Sequence, residues 1–197
     1  MLTIRPASKK DKEDFARLLI MSAKYFPQLF GKNIEQTLQR LFVLPKNLFS
    51  YEHVTIAEAD GHTAAMALGY GYKEKKKENL HTGYLLFCYH WGAMISKLPT
   101  FLSFNSSVGQ LAKGQFYLSN IAVYPEYRGK GIGRRLMEHV QQQAQQQGYK
   151  TMVLDVEKDN NPAISLYKKI GFEIINEFKL KPDKGSQLDF FRMAKHL

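Results

Sequence analysis

The chain has 197 residues, 44% of them hydrophobic and 23% charged, which suits one domain with a substantial core. Its single cysteine, Cys88, excludes an internal disulfide, no apolar run reaches the roughly 18 residues that span a bilayer, and the start MLTIRPASKKDKED turns polar too soon for a secretory leader, so a cytoplasmic protein with no membrane partner is expected. The net charge of +10 raises the question of nucleic acid, but the basic residues are scattered and no nucleic-acid motif occurs, so no nucleic-acid partner is expected.

In chain order, Leu2 to Ala7 reads as a first strand. Ser8 and Asp11 resemble a capping box ahead of a helix with Phe15, Leu18 and Leu19 on one face, and Pro27 marks its end or the loop beyond. Asn33 can cap a second helix through Ile34, Leu38, Leu41 and Phe42, stopping before Pro45. His53 to Ala59 and Thr63 to Tyr72 read as strands joined at Asp60-Gly61, a hairpin turn signal. The run Lys73-Glu74-Lys75-Lys76-Lys77-Glu78 reads as a solvated loop.

Leu80 to Leu102 is dense in apolar and aromatic residues, too short to span a bilayer and too long for a simple connection. A helix from about Glu78 to Lys97 is expected, then a less regular stretch to Gly114. A helix apolar on most sides must be buried, whether over a substrate cleft, in a homodimer interface or in the core. His81, Cys88 and His90 lie here as packing or surface residues; no second ligand cluster accompanies them, so no metal is expected.

Phe116 to Tyr124 reads as a buried strand ended by Pro125. A glycine-rich turn follows, Arg128-Gly129-Lys130-Gly131-Ile132-Gly133, then a helix with Ile132, Leu136, Met137, Val140 and Ala144 on one face, running to about Gln147. Backbone N–H groups in such a turn, the helix N-terminus and two cationic side chains make a site for phosphate or pyrophosphate. A Walker loop fails because Gly131 follows Gly129-Lys130, and the dinucleotide fingerprint fails because its third glycine would fall on Arg134. The Gln141–Gln147 run reads as a solvated helix face with Gly148 as C-cap. Thr151 to Val156 is the next strand, a helix opens at Asn160 or Asn161 with Pro162 in its first turn, and Phe172 to Leu180 with Leu188 to Ala194 close as a hairpin around Pro182–Gly185.

Two blocks carry a family resemblance. Val123-Tyr124-Pro125 followed by Arg128, Gly131 and Gly133 fits Arg/Gln-x-x-Gly-x-Gly/Ala after a strand, and LDVEKDNNPAISLYKKIGF supplies Asn160, Ala163, Leu166, Tyr167, Gly171 and Phe172 of a second pattern. Together they resemble the GNAT (N-acetyltransferase) superfamily over roughly the last 80 residues. The resemblance implies an α/β GNAT fold: a mixed, mostly antiparallel central sheet flanked by helices, one domain over 1–197 with a helical insertion at about 78–114. It implies acetyl-CoA as cosubstrate and acetyl transfer to a primary amine by direct attack in a ternary complex, or else a non-catalytic CoA-binding module on the same fold. Ile121, Ala122 and Val123 would pair with the pantetheine arm, Arg128, Gly129, Lys130, Gly131, Ile132, Gly133 and Arg134 would hold the pyrophosphate, and Asn160 and Ala163 would contact the CoA arm. Tyr167 would be the general acid at the leaving sulfur. Asp155, 12 positions upstream, is a candidate base, with Glu157 on the same side of the strand by period two.

Overall fold

The computed structural model describes residues 1–31, 33–96, 108–181 and 187–197. Its elements are β1 (Leu2–Pro6), α1 (Lys12–Ser22), α2 (Phe26–Phe30), α3 (Ile34–Val43), β2 (Val54–Ala59), β3 (His62–Gly71), α4 (Tyr72–Ser96), β4 (Gln115–Val123), α5 (Ile132–Gln146), β5 (Thr151–Glu157), α6 (Asn161–Lys169), β6 (Glu173–Leu180) and β7 (Leu188–His196). Among the described residues the strands form one sheet in the order β1-β2-β3-β4-β5-β7-β6, in which only β4 and β5 pair in parallel. This is the mixed, mostly antiparallel sheet expected. No described helix is long and apolar enough to cross a membrane.

The sheet's two faces follow from strand alternation. On one face Met152, Leu154 and Val156 of β5 join Phe116 and Leu118 of β4 beneath α5 and α6. There Ala57, Ala65 and Ala67 keep the surface low, so Leu136, Met137 and Val140 of α5 sit close to the sheet. The other face carries α1 and α3, whose Phe15, Leu18, Leu38 and Phe42 pack on Ile56, Met66 and Leu68. Beyond them Tyr70, Tyr117 and Val153 form a smaller cluster with Leu48. The hairpin at Asp60-Gly61 turns through two left-handed residues (φ 50° and 82°), the chemistry that Asp-Gly favours.

Two local expectations change. Pro27 does not end a helix; it sits in the first turn of α2, where its missing N–H costs nothing. The charged run 73–78 is no loop but the opening of α4, which begins directly after β3. Tertiary contacts explain the change. The Tyr149 hydroxyl donates to Glu74 (2.7 Å), His53 Nε2 meets Glu78 (2.7 Å), and the Leu48 N–H donates to Thr82 Oγ1 (2.9 Å). A kink at His90 (φ −134°, ψ 30°) coincides with a buried contact between His90 Nε2 and Thr37 Oγ1 at 2.7 Å. Cys88 is exposed, and His81 contacts the Lys46 carbonyl, as befits packing and surface residues. Leu80, Tyr84 and Phe87, at helical spacing, stay exposed on the remaining face of α4. The stretch expected to be irregular falls partly, and the turn at 182–185 wholly, outside the described residues.

The joint between β3 and α4 has no room for a side chain. A Cβ on Gly71 would lie 1.8 Å from the Tyr149 hydroxyl oxygen. Gly71→Ala is therefore expected to lower stability by about 1–3 kcal/mol, the usual range for overpacking. Tyr149→Phe, which keeps the ring and loses the bond to Glu74, is expected to cost about 1 kcal/mol. Denaturant titration of both variants checks the order; an Ala variant as stable as wild type would refute it.

Candidate active site

Parallel pairing of β4 with β5 runs from Gln115↔Thr151 to Leu118↔Leu154 and stops, although β4 continues to Val123 and β5 to Glu157. A register shift between β3 and β4 adds Ser119 as an extra residue at that point, a bulge that bends β4 away from β5. The strands therefore splay into a wedge. The Tyr124 N–H donates to the Ala64 carbonyl at 2.9 Å. Antiparallel bonding directions alternate, so Ala122 also faces β3, while Ile121 and Val123 turn their backbone groups toward the wedge. The Val123 carbonyl accepts from Arg128 Nε at 3.1 Å.

The glycine turn closes one end of this wedge. Gly129 and Gly131 have φ of 75° and 74°, and a Cβ on either would meet nothing within 4 Å. Both glycines serve backbone conformation, and the approach to them is open. Gly131 caps α5, whose first intrahelical bond is Arg135 N–H to the Gly131 carbonyl, so the N–H groups of Ile132, Gly133 and Arg134 point out of the helix end. Gly133 has a different reason: its Cβ would lie 3.3 Å from Val123 Cγ2, so it lets the helix end sit against β4. Arg128, Lys130 and Arg134 are exposed; Lys130 lies over the Tyr127 ring, and Arg134 pairs with Glu138 one turn on.

α6 lines the opposite wall. Asn160 caps it by accepting the Ala163 N–H at 3.3 Å. Tyr167 is 7% exposed, and burial pushes its phenol up to about 12, so it holds its proton throughout the neutral range. Its hydroxyl makes no hydrogen bond to the described residues, while its ring packs against Phe172. Ile121, Ala122, Val123, Arg128, Gly129, Gly131, Ile132, Gly133, Arg134, Asn160, Ala163 and Tyr167 all line one cavity of about 1350 Å³. Lys130 is not part of that lining; it lies over the ring of Tyr127, which is.

The same cavity continues through the wedge to the α1, α2 and α4 side, where Asp155 and Glu157 point. The geometry there argues against Asp155 as a free base. Its carboxylate accepts from Arg192 Nε (2.8 Å) and Nη2 (2.9 Å), the Tyr117 hydroxyl (3.0 Å) and the Gly109 N–H (2.9 Å). A carboxylate so occupied has little lone-pair capacity to take an amine proton. Glu157 is different: it is half-buried at the end of β5, and desolvation, aided by nearby Asp159, raises its carboxyl above the usual range against the opposing pull of Lys24.

Four participants escaped the sequence reading: Lys75, Gly109, Tyr117 and Arg192. Arg192 reaches Asp155 because β5 and β7 pair in the register Asp155↔Arg192, and Lys75 reaches the cavity because α4 starts early. Neither fact leaves a local signal. Among the described residues no three His, Cys, Asp or Glu side chains gather as metal ligands would.

These features agree with the comparisons to known proteins. Over 66 residues the chain is 38% identical to the ribosomal protein bS18-alanine N-acetyltransferase of Escherichia coli K12, a stretch that covers 34% of this chain and 45% of that one. The chain thus spans less than half the length of the curated relatives it matches. A solved N-acetyltransferase from Staphylococcus aureus Mu50 superposes with a TM-score of 0.68 at 19% identity, covering 98% of this chain and 99% of that one. The PaiA N-acetyltransferase of Thermoplasma acidophilum, solved in complex with coenzyme A, superposes with a TM-score of 0.56 at 16% identity, covering 100% of this chain and 99% of that one. The family model for the acetyltransferase (GNAT) family matches residues 21–172, most of the chain and all of the wedge, so this chain belongs to the GNAT family.

Proposed function

We propose that the chain transfers the acetyl group of acetyl-CoA to a primary amine, by direct attack with both substrates bound. The observation that carries this reading is the convergence of the open glycine turn, the outward backbone of Ile121 and Val123, and the protonated Tyr167 hydroxyl on one through-going cavity. The cavity is larger than the roughly 300–1,000 Å³ of an ordinary ligand pocket, which suits two substrates at once.

Each residue then has a physical task. The N–H groups of Gly131 to Arg134 and the charges of Arg128 and Lys130 suit a pyrophosphate. The Val123 N–H is the donor for negative charge developing on a thioester oxygen. Asn160 Nδ2 is left to donate to an amide of the CoA arm, since its Oδ1 is engaged in capping. Tyr167 donates its proton to a leaving thiolate. Acetyl-CoA supplies the activated acetyl group.

The base role expected of Asp155 passes in this reading to Glu157, two residues along the same strand face. An alkylamine is mostly protonated at pH 7, and a carboxylate whose pKa burial raises takes its proton better than an ordinary one. Asp155 becomes the anchor that ties β5 to β7 through Arg192 and orients Tyr117.

A thermal-shift titration is expected to show saturable stabilisation by acetyl-CoA and by CoA, and none by ATP. Gly131→Glu, which strains the turn and adds negative charge, is expected to abolish that shift. Tyr167→Phe is expected to keep the shift and lose about 10²-fold or more in kcat. Binding with no turnover across a broad amine panel would leave a CoA-binding module instead, and no binding would end the proposal.

The pH profile separates the two carboxylates. The base must be ionised, so the rate rises with pH through the raised pKa of Glu157 and is lost below it. Glu157→Gln is expected to remove that acid limb and lower the rate at neutral pH. Asp155→Ala takes from Arg192 and Tyr117 the carboxylate they share and is expected to cost about 3–5 kcal/mol of stability. An unchanged acid limb in Glu157→Gln would return the base role to another group.

A further inference from the structure

Resting on the acetyl-transfer reading above, we infer that the acceptor is amino acid-like: a primary amine that also carries a carboxylate, recognised by Lys75. Lys75 sits in the first turn of α4, half-buried, and lines the acceptor side of the cavity. Its ammonium donates to the Gly109 carbonyl, a neutral partner.

The local charge does not balance. Among the described residues Asp155 is the carboxylate that acts on Lys75, and Arg192 already holds it with two hydrogen bonds. Among the described residues Lys75 and Arg192 thus share the one carboxylate of Asp155, a surplus of one positive charge. No other described carboxylate supplies the balance. Glu74 and Glu78 direct their carboxylates to Tyr149 and His53 and do not act on Lys75, and Glu157 lies two residues beyond Asp155, roughly 7 Å along the strand. Residues 91–107, which precede Gly109, contain no Asp or Glu at all. Burial, and then Arg192, lower the proton affinity of Lys75, with Asp155 opposing. A cation held away from water without a counter-charge is costly, and a bound anion relieves that cost.

The surplus is a single charge, which a carboxylate matches; a phosphate dianion would overshoot it and a polyamine would add to it. Phe26, Phe30, Leu80, Tyr84 and Phe87 line the same side of the cavity and suit an aryl or alkyl body. With its carboxylate at Lys75, such a molecule presents its amine toward Glu157 and the wedge. The transfer itself balances: the amine nitrogen forms the C–N bond, the thioester C–S bond breaks, Glu157 takes the amine proton, and the thiolate receives one from Tyr167.

The test uses the full chain with acetyl-CoA and matched acceptor pairs: L-phenylalanine with phenethylamine, L-tyrosine with tyramine, L-leucine with isoamylamine, read by thiol release. The carboxylated member of at least one pair is expected to be favoured tenfold or more in kcat/KM. Lys75→Met is expected to reduce that ratio by roughly 10- to 100-fold, through KM more than kcat, and Lys75→Arg to restore part of it. If Lys75→Met fails to fold, wild-type inhibition by 3-phenylpropionate against 3-phenylpropan-1-ol carries the same comparison, with the acid expected to inhibit more strongly. Equal or better use of the amines, an unchanged ratio in a folded Lys75→Met, or no turnover of any carboxylated acceptor by a chain that binds acetyl-CoA overturns the inference. A chain that binds no acetyl-CoA overturns the underlying reading instead.

Discussion

The site depends on an interruption of hydrogen bonding in the middle of the sheet. β4 and β5 part after Leu118 and Leu154, and each continues with one edge unpaired on the wedge side. Unpaired backbone groups inside a protein are costly unless something answers them, so the wedge is a preformed array of donors and acceptors. Its opening is held from both sides. The bulge at Ser119 bends β4 while β3 continues to pair with it up to Val123. On the other side β5 stays registered with β7 to its last residue, reinforced by the two-point ion pair between Asp155 and Arg192.

The two halves of the cavity are built by different means. The half near α5 and α6 is made largely of backbone: two left-handed glycines, a helix end and two strand carbonyl–amide rows. The half near α4 is made of side chains brought from distant segments. Tyr117, Asp155, Arg192 and Lys75 come from four elements and meet around Gly109. A backbone-built half suits a cosubstrate common to a family, because its donors survive most substitutions. A side-chain-built half can change its acceptor by substitution without disturbing the other.

Much of the first half was legible in the residues. Pro125, Arg128, Gly131 and Gly133 announce a strand end, a left-handed turn and a helix start within nine positions, and Asn160 to Tyr167 announce a capped helix in eight. These are local signals, because a positive φ or a helix cap is decided by neighbours in the chain. The second half was not legible in the same way. Lys75 lies in a run of lysines and glutamates whose local pattern suits a solvated loop; it enters the cavity only because Tyr149, His53 and Leu48 hold α4 in place through Glu74, Glu78 and Thr82. Asp155 looked available because its partner is 37 residues away on another strand, visible only once the register is known.

The sequence by itself determined most strands and helices, α2 and the start of α4 apart, with the glycine turn and the Tyr167 helix, since each rests on contacts within a few residues or on side-chain period; two motif blocks carried the family resemblance. The tertiary structure decided the length of α4, the commitment of Asp155 to Arg192, the elevation of Glu157 and the placement of Lys75 beside that ion pair. The physical reason is range. Dihedral preference and periodicity act along the chain, whereas ion pairing, desolvation and charge balance act through space and have no value until the fold sets the distances.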